Sequence, residues 1–434
     1  MAVWPGIFTY DVGAVEYGAW QQWITGEYSN HKSVLFTFLI CPFLEIGQSL
    51  GDFNIGVTLY AVFQSVLLAG LFAWMIAYIE SKQAPKWLVF SSVIYFALNP
   101  MVSIFAVSDC EDTLFAAAIL LFMVLIYEAF DSNKMRHYIC LVIVGFLVAA
   151  LRPNGIYSLL LVLVVVPFVV LGKQKKTRLF TSVFCAALLF WIWTNPVGAL
   201  LNVQNSALQQ LNAFTQPVQQ IAYTYNSNAF TDSEIRYLES LGWEKPSNYN
   251  CEIGDAARFS MGNMTSVNRI RAWVFTFSHH PDKAVEGLLL QTGDAWNPYS
   301  FINYNVVNPE KTSEKATLFE VRYNPPAAQD TKIPWLYDLI VSISNSTLLQ
   351  KIPLLSLLVC LPMYVAFFLL GLTRSIGYGR RRDFLALCIV IPVVGISLLG
   401  PAVIPRYYLC LIFAVPFVAY LLLSGNSSIK VSTD

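Results

Sequence analysis

Residues 53–79 read FNIGVTLYAVFQSVLLAGLFAWMIAYI and contain no charged side chain. A helix of this length extends about 40 Å at 1.5 Å per residue, and about 20 apolar residues suffice to cross the hydrocarbon core of a bilayer. Lipid offers the backbone no hydrogen-bond partner, so a run of this kind is expected to be helical. The stretch therefore predicts a membrane-spanning helix.

The same pattern recurs along the chain of 434 residues, which is 56% hydrophobic and only 12% charged. Soluble domains carry about a quarter charged residues, so a soluble globular class is excluded. We predict an all-α polytopic membrane protein built as a transmembrane helix bundle. Its nine predicted spans lie near 53–79, 87–107, 113–130, 137–152, 155–172, 179–199, 352–373, 384–402 and 407–424.

The Lys and Arg residues of the short loops predict the orientation of these spans. They cluster near 82–86, 134–137, 173–178 and 374–382, and strict alternation of nine spans puts all four clusters on one face. Because short cytoplasmic loops are enriched in Lys and Arg, this face is expected to be cytoplasmic. We therefore predict a multi-pass protein of the plasma membrane.

This topology divides the chain into five predicted parts. The longest polar part is rich in Asn, Gln, Ser and Tyr, and Thr231 to Glu234 has the spacing of a helix capping box, so a mostly helical insert is expected. The parts are an extracytoplasmic loop with interfacial helices (1–52), N-terminal transmembrane helices (53–199), an extracytoplasmic insert (200–351), C-terminal transmembrane helices (352–424) and a cytoplasmic tail (425–434).

Residues 1–52 are predicted to lie outside the membrane, so the chain needs a means of crossing it before this segment or an N-terminus that is itself outside. Residues 1–30 lack the charged and apolar regions of a signal peptide. We therefore expect a further transmembrane helix before this segment, and the alternative is a protein whose N-terminus is naturally outside.

Carboxylates are concentrated on the predicted outer face. Asp11 can act there as a general base on an alcohol, or it can cap the helix that follows. Asp109, Glu111 and Asp112 crowd one outer turn, where such a group must be paired, solvated or bound to a cation. They are candidates for orienting an acceptor sugar, for capping the next helix, or for holding a metal, although no histidine accompanies them.

Two arginines end apolar runs on the outer side, against the charge bias of the loops. Arg152 and Arg406 are candidates for binding a lipid phosphate, since a guanidinium group offers two parallel donors to phosphate oxygens. The alternative is that each side chain snorkels to the membrane surface at little cost.

Histidines add weaker candidates. His31 and Lys32 lie near Asp11 in sequence and share its predicted compartment. His280 follows another histidine in the insert, without the spacing of a zinc hydrolase, and a plain loop is the alternative.

The chain contains no phosphate-binding Walker loop, no dinucleotide fingerprint and no nucleophile elbow, so nucleotide-driven and serine-hydrolase chemistry are not expected. We expect membrane lipids as partners and no nucleic acid.

The order of several short motifs resembles that of bacterial membrane glycosyltransferases of the GT-C fold. The resemblance extends over most of the chain. Within these enzymes, the chain is most similar to an uncharacterised branch. One departure is Lys32-Ser33, where that branch has His-Pro. The matching motifs are Trp4-Pro5-Gly6, Tyr10-Asp11, Tyr28-Ser29-Asn30-His31, Leu98-Asn99-Pro100, the acidic turn 109–112, Leu151-Arg152-Pro153-Asn154, His280-Pro281-Asp282, Trp296-Asn297-Pro298 and Arg406-Tyr407.

The resemblance implies an activity and assigns roles. Such enzymes move a sugar from a polyprenyl-phosphate carrier to an acceptor at the outer membrane face, usually with inversion, and most need no metal or other cofactor. The acceptor would be an envelope glycan, a glycolipid or a protein. In this chain the base would be Asp11, the donor phosphate would be bound by Arg152, Arg406, Lys32 and His31, and the acceptor or sugar would be bound by Asp109, Glu111, Asp112, Tyr10, His280 and Trp296.

Two other classes of protein fit parts of the pattern. A lipid or polysaccharide transporter or flippase would show paired repeats with broken helices near the bilayer midplane. A non-catalytic receptor or scaffold would tolerate the loss of each outer charge singly.

Overall fold

The computed structural model describes residues 2–7, 12–206, 211–247, 249–254, 257–298, 331–345 and 351–424. Within these ranges the chain is helical and has no β-strand. Isolated β-bridges join Ile7 to Ser108 and Ser29 to Gln204. The prediction of an all-α protein is confirmed.

Where it is described, the N-terminal half forms nine helices, numbered α1 to α9. The last of them continues through a π-helical turn, Trp193–Val197, to Leu200. The bounds are α1 Val12–Thr25, α2 Val34–Ser49, α3 Phe53–Ser81, α4 Lys86–Leu98, α5 Pro100–Ala106, α6 Glu111–Asp131, α7 Met135–Leu151, α8 Ile156–Val169 and α9 Lys173–Ile192.

The remaining helices belong to the insert and to the C-terminal part of the bundle. In the insert they are Thr215–Asn226, Asp232–Ser240, Ser266–His279, Pro281–Gln291, Gly293–Trp296 and Pro334–Asn345. In the C-terminal part they are Leu361–Gly377, Arg381–Cys388, Ile391–Leu398 and Leu409–Ser424, the last preceded by a 3₁₀ turn at Pro405–Tyr408.

Among the described residues, four helices are long and apolar enough to cross a membrane, consistent with a membrane protein. They are Phe53–Ser81, Glu111–Asp131, Lys173–Leu200 and Pro405–Ser424. The pair α4 and α5, bent by 56°, makes a fifth if it is counted as one span.

The other four predicted spans are shorter or broken in the described structure, so their crossing of the membrane stays a prediction. The segments near 137–152, 155–172 and 352–373 form helices of 17 residues or fewer, and the segment near 384–402 is divided in two. Prolines explain several of these starts, because Pro153, Pro362 and Pro392 each occupy a first-turn position, where their missing N–H costs nothing. The orientation of the bundle stays a prediction.

Helix α2 has 16 residues and is too short to span, as the sequence indicates. It begins after Ser33, whose Oγ accepts a hydrogen bond from the N–H of Phe36. It packs closely on α3 at Gly56, where an added Cβ would lie 2.5 Å from the carbonyl oxygen of Phe43. The predicted interfacial position of α2 is untested, but its tight contact with α3 makes it part of the helix bundle.

Helix α6 lies at the centre of the bundle and is buried along most of its length. It packs against α7, against the last helix and against the helix Arg381–Cys388. Asp112 and Glu128 lie near its two ends, about 24 Å apart by the helical rise. The two ends of this helix therefore bring polar side chains to opposite ends of an apolar core.

The insert packs on the turn that precedes the last helix. The side-chain amides of Gln216 and Gln291 donate to the carbonyl oxygens of Leu398 and Gly400, at 2.9 and 2.7 Å. The predicted capping box is present, since Thr231 Oγ1 accepts from the Glu234 N–H and Glu234 accepts from the Thr231 N–H. The insert is thus mostly helical where described and is held against the C-terminal part of the bundle.

Candidate functional site

Asp112 lies in the first turn of α6 and pairs with two arginines from opposite halves of the chain. Arg152 Nη1 donates to Asp112 Oδ1, and Arg406 Nε lies 3.6 Å from Asp112 Oδ2. The exposed fractions of these side chains are 5% for Asp112, 9% for Arg406 and 21% for Arg152. The structure therefore brings three of the predicted site residues together in a largely buried cluster, named here the arginine pair with its carboxylate.

The local backbone explains how Arg152 reaches this position. Arg152 ends α7 in an extended conformation, with φ −143° and ψ 115°, and Pro153 begins a 3₁₀ turn after it. Gly155 closes that turn where a Cβ would collide with the carbonyl oxygen of Val148. The sequence Arg-Pro-Asn-Gly thus turns the chain sharply from α7 into α8 and leaves the arginine at the bend.

Tyr407 lies against both guanidinium groups. The centre of its ring is 4.5 Å from Cζ of Arg152 and 5.1 Å from Cζ of Arg406. A cation over an aromatic ring is stabilised by about 0.5–2 kcal/mol, more when it is desolvated. No role was predicted for Tyr407 from the sequence, although its position next to Arg406 is the signal that could have indicated one.

Asp109 is almost fully buried, with 1% of its surface exposed, in the turn between α5 and α6. The side-chain amide of Gln64 holds this turn by donating to the carbonyl oxygens of Phe105 and Ser108, at 3.0 and 2.8 Å. A turn fixed in this way presents its carboxylate in a defined position.

The N-terminal segment lies directly beside the same turn. The N–H of Ile7 donates to the carbonyl oxygen of Val107 at 3.0 Å. A Cβ added to Gly6 would lie 3.0 Å from that oxygen and 4.0 Å from Asp109 Oδ2. The glycine of the Trp-Pro-Gly motif is therefore needed for the close approach of the first loop to the acidic turn.

Glu111 connects the cluster to the start of α2. Its Oε2 accepts a hydrogen bond from the backbone N–H of Ser33 at 3.2 Å, and Ser33 Oγ donates to the carbonyl oxygen of Ala150. Lys32, half-buried, and His31, exposed, come immediately before this contact. Glu111 thus anchors the segment that carries two of the four predicted phosphate ligands, His31 and Lys32.

The asparagine of the Ser29-Asn30-His31 motif joins the first loop to the insert. Asn30 Nδ2 donates to Asn205 Oδ1 at 2.8 Å, and Asn30 Oδ1 accepts from the N–H of Ser206 at 2.8 Å. This role was not predicted, and it makes the motif a connection between two outer segments.

Two predicted residues lie elsewhere in the insert. His280 Nε2 is 3.2 Å from Glu234 Oε1, and its ring packs edge-on against Phe230. Trp296 is 53% exposed and its Nε1 donates to Thr292 Oγ1 at 3.2 Å. These side-chain contacts of His280 and Trp296 lie within the insert, and none of them involves the arginine pair.

The remaining predicted site residues, Tyr10 and Asp11, lie outside the described residues, so their roles stay predictions. Across the part of the chain that is described, no group of three or more His, Cys, Asp or Glu side chains is arranged to hold a metal ion.

The arginine pair with its carboxylate carries a net positive charge. It contains two guanidinium groups and one carboxylate, so the three side chains carry a formal charge of +1. Fixed guanidinium donors bind and stabilise phosphate oxygens. The arrangement therefore suits a phosphate ester.

Comparison with known proteins places the chain in a family. A family model described as a family of unknown function, DUF6020, matches residues 20–236. Comparisons with curated proteins and with solved structures found no match. The matched region covers half of the chain, from α1 to the helix Asp232–Ser240, and it includes Asp112 and Arg152. The chain therefore belongs to the DUF6020 family, whose function is unknown.

Proposed function

We propose that this protein is a membrane glycosyltransferase that moves a sugar from a polyprenyl-phosphate donor to a cell-envelope acceptor at the extracytoplasmic face. The observation that carries the proposal is the convergence of Arg152 and Arg406 on Asp112. Isolated arginines at a membrane surface would need no such partner, whereas a phosphate site needs guanidinium groups held in place.

The arginine pair would stabilise the departing phosphate. As the bond between the anomeric carbon and the phosphate oxygen breaks, negative charge develops on that oxygen. Donors fixed before the reaction stabilise such charge without reorganising, and removing one donor of this kind typically costs about 10²–10³ in rate. Asp112 and the ring of Tyr407 would keep both guanidinium groups in position.

Asp11 is the proposed base. The acceptor hydroxyl attacks the anomeric carbon and loses its proton to the Asp11 carboxylate, while the donor phosphate leaves from the opposite side with inversion. The hydrogen bond between Ile7 and Val107 supports this role, since it holds the first loop beside the turn that carries Asp109. Asp109 and Glu111 would orient the acceptor sugar through its hydroxyl groups.

The insert would exclude water from the reaction. It is held to the turn 398–401, a few residues before Arg406, by the side chains of Gln216 and Gln291 and by the N–H of Gly254. Exclusion of water strengthens electrostatic interactions in a site and prevents hydrolysis of the donor.

The direct test is a transfer assay with the purified full-length protein. The donor probe is polyprenyl phosphate carrying a tritium-labelled hexose, and the measurement is labelled product together with released polyprenyl phosphate. We expect Asp11→Asn to be slower by about 10²–10⁴, the usual contribution of a general base. Glu27→Gln, which removes an exposed charge from the same outer segment, is the matched control and should keep the wild-type rate. Normal turnover by Asp11→Asn would remove Asp11 from the mechanism.

One observation favours a transporter or flippase as the second candidate. The α4–α5 pair is bent by 56° at Asn99, and broken helices are typical of secondary transporters. Movement of a fluorescent polyprenyl phosphate across proteoliposomes, without transfer of any labelled sugar, would favour this function over the enzyme.

A further inference from the structure

A second charged site lies at the other end of α6, about 24 Å from Asp112 by the helical rise. A cavity of about 470 Å³ opens there between α3, α6 and α7. Its lining combines charged and polar groups with apolar and aromatic ones, among them Lys82, Arg136, His137, Trp74, Leu125 and Cys140. A cavity with this composition suits a ligand that has one charged end and one apolar end.

The carboxylate in this cavity is already well paired. Glu128 Oε2 accepts a hydrogen bond from the Tyr78 hydroxyl at 2.7 Å and lies 2.8 Å from Lys82 Nζ. Arg382 Nη2 lies 3.7 Å from the same oxygen, while Arg382 Nη1 lies 2.8 Å from Asp131 Oδ2. Glu128 therefore serves to position cations around the cavity.

Cations exceed carboxylates at this end of the helix. Lys175 Nζ donates to the carbonyl oxygen of Asp131, and Arg178 Nη1 donates to that of Asn133, so both bring their charge to the end of α6. Together with Lys82, Lys134, Arg136 and Arg382 they make six cations around two carboxylates, a formal charge of +4. The nearby Arg380 and Asp383 pair with each other at 2.6 Å and leave this balance unchanged.

Arg136 is the cation best placed for a ligand from the membrane. It is exposed, and its Nε donates to His137 Nε2 at 3.4 Å. The other ring nitrogen of His137 lies 2.7 Å from Ser132 Oγ, and this contact fixes the imidazole next to Arg136. Arg136 thus lies at the rim of the cavity.

The apolar part of the cavity runs along the helices beside these charges. Trp74 is 40% exposed, Cys140 is exposed, and Leu125 completes the apolar wall. Such a wall between transmembrane helices suits an acyl chain.

We propose that this cavity binds an anionic glycerophospholipid, with its phosphate against Arg136 and Lys82 and an acyl chain along Trp74. Basic pockets between transmembrane helices recognise anionic head groups by this combination of charge and apolar surface. The site is separate from the arginine pair with its carboxylate, and it does not depend on the proposed glycosyl transfer.

Native mass spectrometry of the purified full-length protein tests the proposal. The probes are phosphatidylglycerol and phosphatidylcholine with identical acyl chains. We expect phosphatidylglycerol to bind more tightly, and Arg136→Gln to weaken it about tenfold, as the loss of one charge-assisted contact predicts. Lys173→Gln removes the same charge from the same basic face, outside the cavity lining, and should change the affinity less than twofold. Equal affinities of wild type and Arg136→Gln would overturn the proposal.

A second variant and a soluble probe sharpen the test. Cys140→Phe fills the apolar part of the cavity and should weaken phosphatidylglycerol binding without removing any charge. Binding of sn-glycerol 3-phosphate as tightly as phosphatidylglycerol would identify a soluble phosphate ester as the ligand and would overturn the lipid assignment. The transfer of labelled sugar by Arg136→Gln is measured in a separate assay. That assay tests the proposed function, whereas the lipid affinities test the cavity.

Discussion

Asp112 pairs with two guanidinium groups. Without its carboxylate these groups would be two buried positive charges close to each other. Moving an ion out of water costs several kcal/mol, and only a well-placed counter-ion with good hydrogen bonds compensates for it. Each carboxylate oxygen of Asp112 serves one arginine, Oδ1 for Arg152 and Oδ2 for Arg406. Loss of the carboxylate charge would therefore leave two cations facing each other across Tyr407.

This geometry predicts a large loss of stability for Asp112→Asn. Breaking a buried pair by removing one partner typically costs about 3–5 kcal/mol. A clear fall in the Tm of the detergent-solubilised protein is expected. Glu80→Gln, which neutralises an exposed carboxylate at the end of α3, is the control and should change stability by less than about 0.5 kcal/mol. A Tm of Asp112→Asn equal to that of the control would contradict the ion-pair account.

For single residues, the sequence predicted which side chains belong to the site but not which of them are partners. Arg152 and Arg406 were recognisable because each ends an apolar run on the predicted outer face, whereas the loop cations lie on the predicted cytoplasmic face. That both meet Asp112 was not predictable, since the contact depends on the packing of α6 against α7 and the last helix. The partners of His280 lie within the insert, which no spacing in the sequence indicated.

At the scale of elements, α2 and α3 pack through glycine. Gly56 faces the backbone of α2, with an added Cβ 2.5 Å from the Phe43 carbonyl oxygen and 2.8 Å from the Leu44 Cα. Small residues at helix crossings allow this approach inside membranes, where packing rather than the hydrophobic effect drives helix association. Gly70 belongs to the same helix and has nothing within 4 Å of an added Cβ.

These two glycines supply a matched pair of variants. Gly56→Ala must push α2 away from α3, and we expect a loss of about 1–3 kcal/mol, as for other overpacked sites. Gly70→Ala should be neutral or stabilising by up to about 1 kcal/mol, because alanine favours a helix interior over glycine. Thermal unfolding followed by circular dichroism measures both, and equal Tm values would show that the crossing is not as close as described.

The capping box of Asp232–Ser240 predicts a pH dependence in the insert. The pKa of Glu234 is lowered from its ordinary value of 4.5, chiefly because its carboxylate accepts the backbone N–H of Thr231. A lowered pKa in the folded state contributes stability that is present above pH 4.5 and is lost as the pH falls through the lowered pKa.

Hydrogen exchange measures this effect directly. Protection of the amides of residues 231–242, corrected for intrinsic rates, should fall in the wild type as the pH drops below 4.5. In Glu234→Gln protection should be lower at neutral pH and should not respond to acid. Glu239→Gln changes an exposed carboxylate of the same helix and should behave as the wild type does. An unchanged acid response in Glu234→Gln would assign the titration to another group.

Helix bounds were predictable where apolar runs are long and uninterrupted. The run 53–79 became Phe53–Ser81, and 113–130 became Glu111–Asp131. The run 384–402 was mispredicted as one continuous helix, because composition alone does not show that a helix ends at Cys388 and that the next one begins with Pro392 in its first turn. The bend between α4 and α5 was missed for a related reason, although Asn99-Pro100 is the sequence signal of a helix restart.

For the whole molecule, α6 connects the two charged sites while keeping them apart. The arginine pair with its carboxylate lies at the first turn of α6, and the second charged site, around Glu128, lies at its last turns, with a buried apolar stretch of the helix between them. The loop cations predict that the Glu128 end is cytoplasmic. If so, the two sites lie on opposite faces of the membrane.

Reporter fusions test this orientation. Green fluorescent protein fused after residue 434 should fluoresce in a bacterial host, since it folds in the cytoplasm. Alkaline phosphatase inserted after Lys245, in the insert, should be active because it needs the oxidising exterior. The reverse pattern would invert the topology and place the arginine pair at the cytoplasmic face.

A cryo-electron microscopy structure of the full-length protein with bound polyprenyl phosphate would show where the donor phosphate binds. We expect the phosphate within about 2.7–2.9 Å of guanidinium nitrogens of Arg152 and Arg406, with the Asp11 carboxylate lining the same binding site. A phosphate bound away from both arginines, or an Asp11 carboxylate directed into bulk solvent, would contradict the proposed mechanism.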